Sequence, residues 1–304
     1  MKNIFYSLSV LFLLSGCTKV VKEYAVMSYS LNPLENKNSQ VHTSDASDFD
    51  MHRLDAEYQF TTKTVSNTNS FALVIGINNY QLNSGVEYAD TSALAFAKLA
   101  NKTFGVPKEN IITLLNEHAT SGQIKAKIEL IKELSENSGN IYLYFAGHGV
   151  PGKSGATYLL PTDMSADTIH LERNLQLDNI YAKLGASAAK NVFIFMDSCF
   201  SGKDDKGSLL YKGVAPVLKV KKSALPSRKL TVITAGQSTD FANDFQEKKQ
   251  RLFSYYLIKE LADGKTDLGA VYKTIKSKIK RASLMKGLGY KQIPQMYGKA
   301  KMLH

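Results

Sequence analysis

The stretch "VFIFMDSCFSG", Val192–Gly202, is an apolar run of strand length that ends in an acid, a lone cysteine and a glycine. It does not alternate apolar with polar residues, so the strand it forms is buried on both faces. Similar runs recur at "FALVIGI" (Phe71–Ile77), "NIITLL" (Asn110–Leu115), "IYLYFAG" (Ile141–Gly147) and "LTVITAG" (Leu230–Gly236). Amphipathic segments lie between them. "SALAFAKLANKTFG", from Ser92, is rich in helix formers and closes on Gly105 as a C-cap. Ile124, Ile128, Ile131 and Leu134 recur at helical spacing behind Thr120 or Ser121 as N-cap. Leu175, Ile180 and Leu184 mark another helix, and "RLFSYYLIKELADG" a further one closed by Gly264. Buried strands separated by amphipathic helices predict an α/β fold, a parallel sheet with helices on both faces.

In open sheets of this kind ligands sit beyond the carboxyl ends of the strands. Cys199 lies just past one such end. His148, in "YLYFAGHGV", lies just past another, between Gly147 and Gly149. If the two strands are neighbours, thiol and imidazole meet across one cleft. A thiolate is a nucleophile, and a nearby imidazole promotes its formation. The imidazole then protonates the leaving amine. The backbone N–H groups of Gly149 and Cys199 leave strand ends at the same edge and are the candidate oxyanion donors. Singly, a strand-end cysteine reads as a small buried hydrophobe and a histidine between glycines as structural. Their joint placement favours a working pair. No Cys-x-x-Cys or His-x-x-x-His spacing occurs, and His42, His52, His118, His170 and His304 lie in unrelated contexts, so no zinc site is expected.

The 304 residues suit one large domain or two small ones. A net charge of +11 points to acidic partners or anionic membrane surfaces without choosing between them. With no arginine-rich tract or stacked aromatic pattern, nucleic acid is not an expected partner. The other cysteine, Cys17, follows Lys2 and an apolar stretch, Ile4–Leu14, too short to span a bilayer. "LSGC" (Leu14–Cys17) resembles a bacterial lipoprotein signal, in which the cysteine is lipidated and becomes the new N-terminus. An ordinary signal peptide or a buried apolar segment is the alternative. Thr18, in place of an aspartate, tilts the anchor towards the outer membrane, facing the periplasm. Residues 1–16 thus read as signal peptide, 17–69 as a polar tether with room for a short strand at "YAVMSYS", and 70–304 as the folded domain.

"FALVIGINNY", "YLYFAGHG", "YLLPTD" and "FIFMDSCFSG", in that order, resemble the caspase-fold cysteine peptidases, with the metacaspase-like bacterial branch most similar. The resemblance runs from about Phe71 to Gly298 and takes in "TAGQSTD", "RLFSYYL" and "QIPQMYG". It implies a caspase-like three-layer sandwich on a mainly parallel six-stranded sheet, and an endopeptidase whose catalytic pair is His148 and Cys199. It also implies that Asp197 matches a pocket acid for a basic P1 side chain, since a desolvated carboxylate suits guanidinium or ammonium. Asp197 reads equally as a cap on the turn into the loop. In "EYADTSALAF", Ser92 stands where the family usually has a second acid. Asp90 is the nearest substitute for that acid, and a neutral or smaller P1 stays open. Asp163 of "LLPTD" matches one calcium position of metacaspases, but the acidic pair expected after it is not visible in "TIHLERNL", and Asp163 reads as a turn residue after Pro161. No cofactor is expected, calcium being the one candidate. The long connection Lys203–Leu230 offers self-cleavage sites at Lys219, Lys221, Lys222 and Arg228, or is a plain basic loop. The leading expectation is a membrane-anchored peptidase acting on peptide or protein. The alternatives are a silent caspase-fold scaffold and another α/β hydrolase, although "DSCFSG" lacks the G-x-S-x-G pattern.

Overall fold

A computed structural model of the chain describes residues 52–62, 67–136, 139–152, 155–205, 207–210, 225–237 and 240–303. Cys17, "YAVMSYS" and the lysines at 219, 221 and 222 lie outside these residues. Strands β1 (Phe71–Gly76), β2 (Ile111–Leu115), β3 (Asn140–Ala146), β6 (Asn191–Asp197), β7 (Leu230–Thr234) and β10 (Gln295–Gly298) form one six-stranded sheet in the order β10-β7-β6-β3-β1-β2. All neighbours are parallel except β10, which runs antiparallel along β7. Two small hairpins flank the sheet, β4 (Gly149–Pro151) with β5 (Thr157–Leu159) and β8 (Asp244–Phe245) with β9 (Gln250–Arg251).

The uninterrupted apolar strands follow from burial on both faces. Ala72, Val74, Tyr142, Tyr144, Phe193 and Phe195 share one core with helices α2 (Ala89–Lys102), α5 (Leu252–Ala262) and α6 (Leu268–Lys286). Their sequence neighbours Leu73, Ile75, Ile141, Leu143, Ile194 and Met196 point the other way, into a core with α3 (Ser121–Leu134) and α4 (Leu177–Gly185). On the first face Phe96 of α2 stacks on Tyr144 at 4.5 Å and lies 5.3 Å from Phe195. Such ring pairs each contribute about 0.5–1.5 kcal/mol beyond area burial.

Local signals account for most element ends. Thr120, not Ser121, caps α3, its hydroxyl accepting from Gln123 N–H. Gly105 and Gly264 sit at positive φ just past α2 and α5. α2 begins earlier than read, at Ala89. Leu175 belongs to a 3-10 turn before α4, because Gln176 is extended and bridges to Tyr158. The short hairpins and β10 carry too little contrast in the sequence to be read there, whereas α6 was legible in Leu268, Val271, Ile275 and Ile279 behind Asp267 and was missed.

The polar tether is a correction for 52–62. Residues 52–58 form a helix, α1, that places Leu54 and Tyr58 in the first core. Thr61 N–H then donates to Ala262 O at 2.9 Å. Only Leu54 and Tyr58, one helical turn apart, mark the buried face, which is why the surrounding polar residues hid it. Leu54 is fully buried, so Leu54→Ala should lower unfolding free energy by about 2–5 kcal/mol. Urea denaturation followed by circular dichroism measures this, and an unchanged midpoint would mean that α1 does not dock.

Candidate active site

The register of the central strands decides the site. β3 and β6 are parallel neighbours, with Ala146 opposite Asp197. His148 and Cys199 each follow two residues later, so both leave the same edge side by side. The two loops touch directly. A side chain at Gly149 would meet Phe200 at 2.4 Å and Ser198 Oγ at 2.6 Å, and Ser198 Oγ donates to Gly147 O at 2.8 Å. Glycine at 149 is therefore what lets the histidine loop lie against the residues flanking the thiol.

His148 is held on two sides. Its backbone N–H donates to Tyr80 Oη at 2.8 Å, and its Nε2 lies 2.9 Å from Ser84 O. A carbonyl only accepts, so Nε2 carries the proton and Nδ1 keeps the lone pair. Gly149 pairs with Leu159 in the hairpin, while Leu160 N–H donates to His148 O. Antiparallel ladders alternate bonded and non-bonded pairs, so the ladder leaves Gly149 N–H unspent.

Cys199 is buried, with its Sγ 3.6 Å from Lys203 O as donor and accepting from Ser201 Oγ at 3.6 Å. Burial pushes the Cys199 thiol up. Burial also pulls the His148 imidazole down, against the Ser84 contact. Both groups are thus neutral at pH 7 in this closed arrangement.

Asp197 continues the parity of Phe193 and Phe195, so its side chain faces α5. Its Oδ2 accepts from Ser254 N–H at 3.0 Å and from Ser254 Oγ at 2.6 Å. Arg251, the residue before α5, makes no side-chain cap of its own, and Asp197 fills that role from the neighbouring strand. Arg251 Nε faces Asp197 Oδ1 at 3.9 Å, both fully buried. Burial raises the Asp197 carboxyl above its usual range, while Arg251 and Ser254 pull it back. The Arg251 guanidinium then forks onto Asp205, Nη1 to Oδ2 at 2.7 Å and Nη2 to Oδ1 at 3.1 Å.

A family profile described as Caspase domain matches residues 69–302. This chain belongs to the caspase domain family. That is a family of cysteine peptidases, hydrolases that act on proteins. Among solved structures, a protein from Geobacter sulfurreducens is similar at 19% identity and a TM-score of 0.55, covering 77% of this chain and 95% of its own. Pro-sf-caspase-1 is similar at 14% identity and a TM-score of 0.52, covering 81% of this chain and 96% of its own. Caspase-1 from Spodoptera frugiperda matches at 13% identity and a TM-score of 0.49, covering 78% of this chain and 89% of its own. The first two show the fold, a caspase-like α/β sandwich on a six-stranded, mainly parallel sheet, as the sequence resemblance implies. No curated protein matches the sequence.

Within this caspase domain, the two expected pocket acids are placed otherwise. The carboxylate of Asp197 is spent on Ser254 and faces Arg251, so it offers no open acid to a basic P1 side chain. It caps the start of α5 rather than the turn into the loop after β6. Asp90 sits at the start of α2 under the β1–β2 edge, bound by Asn116 Nδ2 at 3.0 Å and Thr91 N–H at 2.7 Å. Asn116 Oδ1 in turn accepts from Asn78 and Asn79 N–H, so Asp90 anchors the loop that carries Tyr80. Ser92, where an acid was expected, accepts from Arg251 N–H at 2.9 Å. Asp163 is engaged by Ser121 N–H at 2.8 Å and Ser121 Oγ at 3.3 Å, ahead of α3. Its oxygens serve that helix start.

The sequence reading missed Tyr80, Ser84, Asp205, Arg251 and Ser254. One signal was available for Arg251. A cation at the first turn of an apolar helix opposes the helix dipole, so it must be held by acids from elsewhere.

The closed thiol has a measurable consequence. Iodoacetamide should alkylate Cys199 in the native chain more slowly at pH 7–8 than in the urea-unfolded chain, with the rise in rate displaced to higher pH. Mass spectrometry of the Cys199 peptide checks this. A native thiol faster than the unfolded one at pH 7 would contradict the closed arrangement.

Proposed function

We propose that this caspase domain is a cysteine endopeptidase with Cys199 as nucleophile and His148 as general acid/base. The observation that carries the reading is the in-register β3–β6 pair, which delivers the two side chains to one edge with their loops in contact. Nδ1 of His148 takes the thiol proton as Sγ attacks the scissile carbonyl carbon. The carbonyl oxygen becomes an oxyanion received by the N–H groups of Gly149 and Cys199. Collapse breaks the C–N bond, and the imidazolium returns its proton to the leaving amine. Water, deprotonated by His148, then cleaves the thioester and restores the thiol. The buried thiol requires the loop after Cys199 to move before substrate binds. A catalytically silent scaffold is the second reading, favoured by the burial of that thiol. Labelling of Cys199 by a peptide electrophile separates the two.

Cys199→Ala and His148→Ala should each lower kcat/KM on a fluorogenic peptide library by at least about a thousandfold, with the thermal midpoint retained. Near wild-type turnover in either variant would sink the assignment. The same preparations report self-processing after Arg228, which is exposed, or within the segment before it. Cutting seen by mass spectrometry in wild type and absent from Cys199→Ala would place cleavage of this connection in the activation of the enzyme.

Export and anchoring rest on the sequence reading of Cys17. No helix among the described residues is long and apolar enough to cross a membrane. The proposed anchor is lipid on Cys17, holding the domain at the outer membrane facing the periplasm. Labelling in cells with an alkyne fatty acid should mark wild type and not Cys17→Ser. Unlabelled wild type recovered in the soluble fraction would remove the anchor.

A further inference from the structure

A pronounced charge asymmetry lies away from the catalytic pair. Between Leu268 and His304 stand nine Lys or Arg and no Asp or Glu. The segment begins with α6, whose Leu268, Val271, Ile275 and Ile279 fill the first core. The opposite face of that helix carries Lys273, Lys280 and Arg281, all exposed, at a spacing that keeps them on one side. Lys278 and Lys286 are already matched, by Glu260 and by Asp244. Among the described residues no acid pairs with Lys273, Lys280, Arg281 or Lys291.

The end of the same helix is apolar where a solvent-facing turn is usually polar. Met285 is 82% exposed and Leu288 88%, with Tyr290 at 46%. Scattered singly, such side chains are ordinary. These three share one corner, flanked in sequence by Arg281, Lys286 and Lys291. The corner has a fixed shape. Gly287, at φ 130°, turns the chain out of the helix, and Tyr290 N–H donates back to Gly287 O at 3.0 Å. Gln292, fully buried, holds the turn down. Its N–H donates to Ser283 Oγ at 3.0 Å, and its Oε1 accepts from Asn243 N–H at 2.9 Å. Asn243 Nδ2 also donates to Tyr290 O at 2.8 Å. A side chain added at Gly289, the tip, would meet nothing within 4 Å. The fold therefore holds Met285 and Leu288 out in solvent on a braced turn.

We propose that this corner docks the domain on an anionic phospholipid surface, with Met285 and Leu288 entering the acyl boundary while Lys280, Arg281 and Lys291 meet the phosphates. The proposal rests on neither the peptidase reading nor lipid on Cys17. Aliphatic side chains beside unpaired cations match the layering of such a surface, negative headgroups over hydrocarbon. Each part alone is weak. The cations attract through a field that salt screens, and two aliphatic side chains bury little area. Together they supply the two signals that stable attachment takes. A nucleic acid suits the corner less well, because phosphates would use the cations and leave Met285 and Leu288 in water. An acidic protein would need an apolar pocket inside its acidic patch.

The chain contains no tryptophan, so Tyr290→Trp, aromatic for aromatic, installs a single reporter at the corner. Full-length Tyr290→Trp protein is titrated with phosphatidylcholine vesicles, with or without phosphatidylglycerol, and indole emission is followed. The emission should shift to the blue with the anionic vesicles only, and return in high salt. Adding Lys280→Gln and Arg281→Gln should raise the lipid needed for half the shift by at least about tenfold. Adding Met285→Ser and Leu288→Ser instead keeps every charge and should abolish the shift. All four positions face solvent, and circular dichroism checks that the variants fold. Attachment through the N-terminal segment alone would leave the emission unchanged, and that result would overturn the proposal. So would an equal shift with neutral vesicles. Labelled duplex DNA or polyglutamate bound as tightly as the anionic vesicles would make the corner a general polyanion site and overturn it as well.

Discussion

A buried carboxylate at the end of the central strand organises this molecule. Asp197 is driven inward by the same alternation that buries Phe193 and Phe195, and an isolated ion cannot stay there. The first turn of α5 supplies Ser254 N–H and Oγ, and Arg251 supplies the opposing charge. Removing one member of such a pair typically costs about 3–5 kcal/mol, because the other is left buried and alone. The pair fixes α5 against β6, and with it the wall of the cleft beside Cys199.

From that anchor the rest of the site follows in short steps. The segment before α5 is tied to α2 by Arg251 N–H on Ser92 Oγ, and to the turn after Cys199 by the guanidinium fork on Asp205. The β1–α2 loop carries Tyr80 and Ser84 to His148. Its position depends on Asn116 and Asp90. The thiol and imidazole are thus held by three layers of contacts from different parts of the chain. In the closed arrangement burial holds the imidazole down and the thiol up, against the Ser84 and Ser201 contacts, which couples reactivity to displacement of the turn rather than to pH alone.

The charge logic of the cleft runs against the simplest reading of its motif. An aspartate two residues before a nucleophilic cysteine suggests an acidic pocket. Here the acid is matched inside the protein by an arginine far along the sequence, whose guanidinium forks onto Asp205. Ser92 is consistent with this, because a hydroxyl accepts the Arg251 N–H without adding a third negative charge beside Asp197 and Asp205.

The sequence by itself determined five of the six strands of the main sheet, most helices and the two strand-end residues, because apolar runs and helical spacing are local patterns set by burial. The motifs at His148 and Cys199 were legible for the same reason, since each lies within a few residues of the strand that positions it. It was silent where a signal depends on partners distant along the chain. Leu54 and Tyr58 look like two apolar residues in a polar run until the first core receives them. Asp197 reads as an open acid until Arg251 and Ser254, more than fifty residues later, are folded against it. Only the tertiary structure decided which charges face one another, because Coulomb and hydrogen-bond partners are chosen by distance in space, and sequence spacing fixes that distance only within single elements.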